Sequence, residues 1–427
     1  MKYLFFKLFI FFLIFDSVLA QPDLEFGIKI NDSVYSDNFH SCILSPVESI
    51  INFPAYQLNS GSQLLLQFDD LSFESRDYMY TIYNCNSDWT ISDLNSSEFL
   101  NGFPENYIQN FIFSFNTKVS YVHYELLLPN DEIEITKSGN FILIVYDSEN
   151  TDQPLLIKRF MVYDTSLSIE AKVKQATLAK DRFTHHEIDV IINFNSINFI
   201  NPIQDVHLSI YQGHRWDNVI ENLNPSFVEQ NRLIYDFENE SSFDGGNEYR
   251  FFDTKSLSFF SERVQEIITD TVDVVLLYPD YPWSNQAYGF YPDIEGYYVP
   301  NILGNSDVRT NADYVWVNFC LKKNPFTEPG DLYIFGGLTN WSLTKDAKLN
   351  YDSRLECFET SIFLKQGYYN YTYLFLPKDG LSPSQIPVDG NFYQTSHNYL
   401  LFVYVYDYNL GYDRLLGMQR VSTRGMF

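Results

Sequence analysis

The side chains best suited to chemistry gather in three short stretches. "THHEID", residues 184–189, brings together His185, His186, Glu187 and Asp189. Imidazole and carboxylate are the donors of zinc and iron sites. On a strand, however, alternation sends His185, Glu187 and Asp189 to one face and His186 to the other with Ile188 and Val190. No further ligands stand elsewhere at metal-binding spacing, so the stretch reads as a solvated strand face and no metal is expected. "DGGNEYRFFD", residues 244–253, sets Asp244, Glu248, Arg250 and Asp253 beside two glycines. A calcium loop alternates its oxygens more closely and ends in a bidentate Glu. The expectation is a tight turn, its glycines free to take positive φ, braced by Arg250 on a carboxylate. "YTIYNCNSDWTISDLN", residues 80–95, runs from a strand into a polar loop with Cys85 and Trp89. A catalytic cysteine needs a base, and no histidine is near. Asn86 or Asp88 bonding the backbone makes it a structural turn. With no G-x-S-x-G, H-E-x-x-H, Walker loop or G-x-G-x-x-G, the chain reads as a non-enzyme with no catalytic residue and no cofactor.

The elements that carry these stretches are strands. Period-2 runs recur along the chain and long helical periodicity does not. In "SIEAKVK" Ile169, Ala171 and Val173 share one face, and in "VHLSIYQ" Val206, Leu208 and Ile210 do. Further strands are expected in "LLLQF", "FIFSF", "FILIVYD", "DVVLLY", "VWVNFCL", "DLYIFG", "YNYTYLF" and "LFVYVYD", each bounded by Gly, Pro, Asn or Asp. The expected fold is all-β, with tandem immunoglobulin-like β-sandwich domains.

Residues 1–20, with Lys2 and Lys7 around an aromatic run, match a secretory signal cut after Ala20. No cysteine follows that cut, which argues against a lipid anchor, and no later run is long enough for a second span, so no direct membrane insertion is expected. The rest divides by its punctuation into an N-terminal sandwich, 21–164, a middle sandwich, 165–280, an aromatic and proline connector, 281–310, and a C-terminal domain, 311–427. A net charge of −27 excludes nucleic acid and anionic lipid as partners. Cys42, Cys85, Cys320 and Cys357 are too few for a disulfide scaffold. If bridges form, spacing pairs Cys42 with Cys85 and Cys320 with Cys357; free buried thiols are the equal alternative. Five Asn-x-Ser/Thr sequons, Asn340-Trp341-Ser342 among them, are expected by chance in so Asn-rich a chain.

"GDLYIFGGLTNWSL", "FETSIFLKQGYYNYTYLF" and "DGNFYQTSHNYLLFVYVYD" resemble the early-set immunoglobulin-like domains that include glycogen- and starch-binding modules. That resemblance nominates Trp341 for stacking on a sugar ring, in an alternative reading as an exported carbohydrate-binding protein. Against it, Trp341 can plug the sandwich end, and Tyr369, Tyr371 and Tyr373 form a face with no second tryptophan.

Six stretches, "YNCNSDW", "SGNFILIVY", "THHEIDVIIN", "GHRWDN", "FDGGNEYRFFD" and "LKQGYYNYTYLF", taken in order, are similar to the plug-protein family of the Bacteroidetes type IX secretion system. The chain departs from that family at Asn84, where a His is usual, and at His186, where a Gln is usual; both departures argue against a catalytic histidine. The resemblance implies a monomeric periplasmic protein at the inner face of the outer membrane. It would close the periplasmic opening of the large translocon β-barrel when no cargo is present. A pore wide enough for folded cargo leaks unless covered, and a cover needs a broad interface with aromatic anchors. Tyr281, Trp283, Tyr288 and Tyr291 in the connector are the expected anchors, with packing between the middle and C-terminal domains as their other role.

Overall fold

The computed structural model describes residues 29–194, 199, 201–304, 306–322 and 329–424; the expected leader, 1–20, lies outside them. The protein is all-β, its strands joined by turns and by helices of three or four residues. In the first sandwich, a sheet built on Tyr78–Cys85, Gly139–Asp147 and Asn150–Tyr163 faces a four-stranded sheet. The latter runs in the order Phe39–Pro46, Leu64–Asp70, Val122–Leu128, Asn110–Phe113. Alternation explains the core: Leu64, Leu66 and Phe68 are fully buried against Tyr80, Ile82, Phe141 and Leu143.

The other two sandwiches do not follow the expected boundaries. Arg250–Asp253, Val264–Ile268 and Val274–Leu277, which fall in the middle segment, belong to a nine-stranded sheet with Tyr314–Lys322, Cys357–Lys365 and Gly367–Pro377. The hairpin Asn398–Asp407 and Tyr412–Ser422, expected to close the C-terminal domain, instead pairs with Val206–Gln212 and completes the second sandwich. Residues 250–392 are thus an insertion between the strands of that sandwich. The physical reason lies in "NYLLFVYVY". Tyr399, Leu401 and Val403 enter the core of the second sandwich, while Leu400, Phe402 and Tyr404 enter a separate apolar layer against the first. A strand buried on both faces reads as a continuous apolar run, and such a run does not say which sheet it joins.

That layer contains the "NSDW" turn. Trp89, 1% exposed, meets Trp216 edge to face at 4.9 Å. The Arg159 guanidinium lies 5.2 Å from the first ring and 4.6 Å from the second. Asp88 Oδ1 accepts from the Thr90 amide at 3.0 Å, and Asp413 in the last hairpin accepts from the Ser87 amide at 2.9 Å and hydroxyl at 2.7 Å. "NSDW" is therefore a turn that docks one sandwich on another. Ser209 and Tyr211, on the second face of "VHLSIYQ", are buried as well; Tyr211 joins the same layer.

The first and third sandwiches meet through a buried charge network. Asp69, wholly buried, accepts from Lys365 Nζ at 2.6 Å and the Tyr314 hydroxyl at 2.6 Å, and pairs with His123 Nδ1 at 2.6 Å. Burial alone would raise the Asp69 carboxyl, but Lys365 and His123 outweigh it and hold it below its ordinary value.

All four cysteines are free thiols. Cys42 lies in the core of the first sandwich and Cys85 in the layer behind it, so the expected Cys42–Cys85 pairing does not occur. Cys320 lies beside Cys357, and burial pushes the Cys320 thiol up to about 12.

Phe402→Ala should cost about 3–5 kcal/mol of unfolding free energy by emptying space in the layer between the first two sandwiches. Lys365→Met should cost about 3–5 kcal/mol by leaving Asp69 short of its main counter-charge. Urea unfolding followed by tryptophan fluorescence measures both.

Candidate partner-docking site

The connector is anchored on Arg250. Its guanidinium, 3% exposed, donates to Asp389 at 2.6 and 3.0 Å and to the Tyr281 carbonyl at 2.9 Å, and approaches Asp280 at 3.1 Å. Asp280 also accepts from the Tyr371 hydroxyl at 2.6 Å, the Tyr373 hydroxyl at 2.8 Å and Arg263 at 2.9 Å. The brace expected of Arg250 thus reaches across the fold rather than to its own turn. Trp283 lies over this guanidinium at 3.8 Å and is pinned by its amide to the Val388 carbonyl at 2.8 Å. Tyr291 stacks on Trp283 at 6.1 Å.

The four nominated aromatics therefore divide. Tyr281 and Tyr291 turn outward, 60% and 53% exposed, beside Phe290 at 60%. Trp283 is half-buried on Arg250, and Tyr288 is half-buried with its hydroxyl on Glu248 at 2.5 Å. Tyr281, Trp283 and Tyr291 line an open cleft of about 470 Å³ with Arg263, Phe251 and Gln286. The cleft is wide and aromatic, suited to receiving side chains of a partner.

Trp341 sits elsewhere. It is half-buried, packed against Phe335 at 5.5 Å and Tyr297 at 6.0 Å, with the Arg215 guanidinium 5.0 Å from its ring. It lines a cavity of about 350 Å³ where the three sandwiches meet, together with Trp216, Lys158, Arg159 and Asp32. Tyr369, Tyr371 and Tyr373 are core residues of the third sandwich, so they form no sugar-stacking face.

In "THHEID", burial and bonds to the Tyr399 hydroxyl at 2.7 Å and the Tyr393 carbonyl at 2.5 Å enclose His186; burial pushes it down to about 4. Glu187, Asp189 and Asp236 are the acids among the described residues close enough to share an ion. The Lys174 ammonium already sits among them, at 2.9, 2.7 and 3.9 Å respectively.

Sequence reasoning counted "FIFSF" as one more strand and missed its exposure: Phe111, Ile112 and Phe113 are 46%, 42% and 43% exposed. Apolar side chains on both faces ordinarily signal a buried strand, so the pattern pointed the wrong way.

Residues 39–164 match the family described as "Type 9 secretion system plug protein 1st domain". No curated protein matches the chain. Among solved structures, the crystal structure of a hypothetical protein from Parabacteroides merdae ATCC 43184 is similar, with a TM-score of 0.88 and 31% identity, covering 92% of this chain and 100% of that one.

Two buried acids tie the connector to the second sandwich, and their titration is measurable. Burial raises Glu248 to about 7 and Glu295, hydrogen-bonded by Asn398, to about 7. Both carboxyls keep one buried oxygen without a hydrogen-bond partner. The ordinary glutamate value is 4.5, so between there and about 7 the folded state holds protons that the unfolded chain has released. Each carboxyl therefore contributes up to about 3 kcal/mol of stability that is lost as pH rises across that window. His186, His214 and His397, which burial pushes down, contribute with the opposite sign below the ordinary histidine value, so the measure is a difference: between pH 5 and pH 8 the wild type should lose stability relative to the Glu248→Gln, Glu295→Gln variant, as read by urea unfolding of both.

Proposed function

The chain belongs to the type 9 secretion system plug protein family, and from that premise we propose that it is a non-enzymatic periplasmic cover. It binds the periplasmic opening of the large outer-membrane translocon β-barrel and closes it while cargo is absent. The observation that carries this reading is the apolar layer joining the first two sandwiches, with Trp89, Phe402, Tyr404 and Met161 all buried in it. Domains joined only by linkers move against one another; an extensive dry contact holds them as one wide body, which is what obstructing a large opening requires. No helix of the described residues is long and apolar enough to cross a membrane, in keeping with a partner that docks on the barrel rather than beside it in the lipid.

The outward aromatics Tyr281 and Tyr291 supply anchors of the kind that dominate interface energetics. The net charge of −27 steers the chain toward basic patches of the translocon. Release needs no chemistry: cargo that stabilises another state of the barrel displaces the cover by competition. For the carbohydrate reading, Trp341 offers a ring already faced by Arg215, so nothing in its setting favours a glycan over the plug.

Purified protein should capture the detergent-solubilised translocon barrel, and Tyr281→Ala with Tyr291→Ala should weaken that capture by about tenfold. Deleting the gene should raise uptake of large antibiotics and dyes in cells whose barrel is otherwise open. Unchanged uptake, or a substrate turned over in a manner that one polar side chain controls, overturns the proposal.

A further inference from the structure

We propose that the strand Asn110–Phe113 is a docking edge, which takes up an extended apolar segment with one basic end as an added strand of the first sandwich. The inference rests on the plug reading, in which the translocon barrel supplies that segment.

The strand lies at the end of its sheet and pairs on one side only, with Val122–Leu128. Its register sets Phe111 opposite Tyr124 and Phe113 opposite Val122. The Ser114 amide donates to the Tyr121 carbonyl at 2.9 Å. Antiparallel bonding alternates, so Asn110, Ile112 and Ser114 face the neighbouring strand, while Phe111, Phe113 and Phe115 turn their N–H and C=O outward. At Phe115 those groups are taken by the third sandwich: its amide donates to the Thr310 carbonyl at 2.8 Å and its carbonyl accepts from Asn311 at 2.9 Å. At Phe111 and Phe113 they have no hydrogen-bond partner among the described residues. The open edge therefore offers two N–H and two C=O groups at strand spacing, which another strand satisfies in full.

The side chains agree with the backbone. Phe111 and Phe113 stand on one face and Ile112 on the other, so an incoming strand meets apolar contact on both sides. Phe73, 45% exposed, packs on Phe113 at 5.5 Å, and Phe115 is 74% exposed at the strand's end. Edges are ordinarily blunted by lysine or proline; "QNFIFSF", residues 109–115, has neither. An apolar edge kept open is a solubility cost that a docking partner explains.

Charge selects the partner's basic end. Arg309 is held by Asp307 at 2.7 Å, and Lys118 by Asp273 at 2.6 Å. Glu132, bonded to Gln109 at 2.7 Å beside the strand's start, and its neighbour Asp131 have no cationic partner among the described residues. An apolar segment with Lys or Arg at the end that meets Glu132 and Asp131 complements that arrangement.

The test uses the full protein and the purified barrel in detergent. Ile112→Lys charges the exposed face, and Phe111→Pro deletes an outward N–H without touching a bond to Val122–Leu128. Each should keep the unfolding midpoint and weaken barrel capture by about tenfold. In the wild-type complex, hydrogen exchange at the Phe111 and Phe113 amides should slow at least about tenfold, which side-chain contact alone does not produce. That readout stands even if a variant fails to fold. Wild-type capture with unchanged exchange and unaffected variants overturns the edge and leaves the plug reading intact. A concentration-dependent dimer lost in both variants assigns the edge to a second copy, which also overturns it. No capture by wild type takes down both readings together.

Discussion

The arrangement depends on one strand serving two cores. In Asn398–Asp407, side chains alternate between the interior of the second sandwich and the layer against the first, and every residue from Asn398 to Val405 is buried. Such a strand tolerates no slip, because moving by one residue exchanges the two sets. Polar groups pin its register from opposite sides. The Tyr399 hydroxyl accepts from Gln212 at 3.0 Å on one side, and the Tyr404 hydroxyl donates to Asn140 at 2.8 Å on the other. Because this strand comes late in the sequence, the insertion of residues 250–392 is closed at both ends by the sandwich that carries it.

The two contacts made by the first sandwich differ in kind, and the difference has a purpose. Against the second sandwich the contact is mainly apolar and aromatic, oriented by the Asp413 bonds to Ser87 and the Tyr404 bond to Asn140. Against the third it is centred on Asp69, whose burial is favourable only while Lys365, Tyr314 and His123 all stand in place. A buried ion pair adds little attraction over apolar packing but penalises misplacement heavily. Apolar contact holds the sandwiches together, and the Asp69 network sets the angle at which they are held.

What the sequence made legible follows from locality. Alternation in "SIEAKVK" placed Ile169 and Val173 inside and Glu170 and Lys172 outside, as the structure has them. The "NSDW" turn was readable because Asx bonding is a matter of neighbouring residues. The course of the chain between sheets was not. "DVVLLY" and "LFVYVYD" are apolar on both faces, so neither carries the polar stripe that marks a solvent side. Their partners, Tyr314–Lys322 for the first and Val206–Gln212 for the second, are distant along the chain. Among the nominated anchors the limit was the same: residue type gave four aromatics, but only the position of Arg250 separates Trp283, half-buried on its guanidinium, from Tyr281 and Tyr291, which turn outward.

Composition alone misleads about this chain's surface. Its supply of Phe and Tyr suggests a sticky exterior, yet Tyr80, Tyr124, Tyr371 and Tyr404 are all buried, several with hydroxyls bonded to a carboxylate or amide inside. Tyrosine serves these cores because it fills large volumes while also satisfying buried polar partners. Phenylalanine has no such polar group, so exposing it gains nothing for the fold itself. Phe111 and Phe113 are exposed side by side on one open edge, where Phe103, Phe183 and Phe227 are exposed elsewhere on the surface. In the docking proposed for that edge, an added strand covers both rings while pairing with the backbone between them.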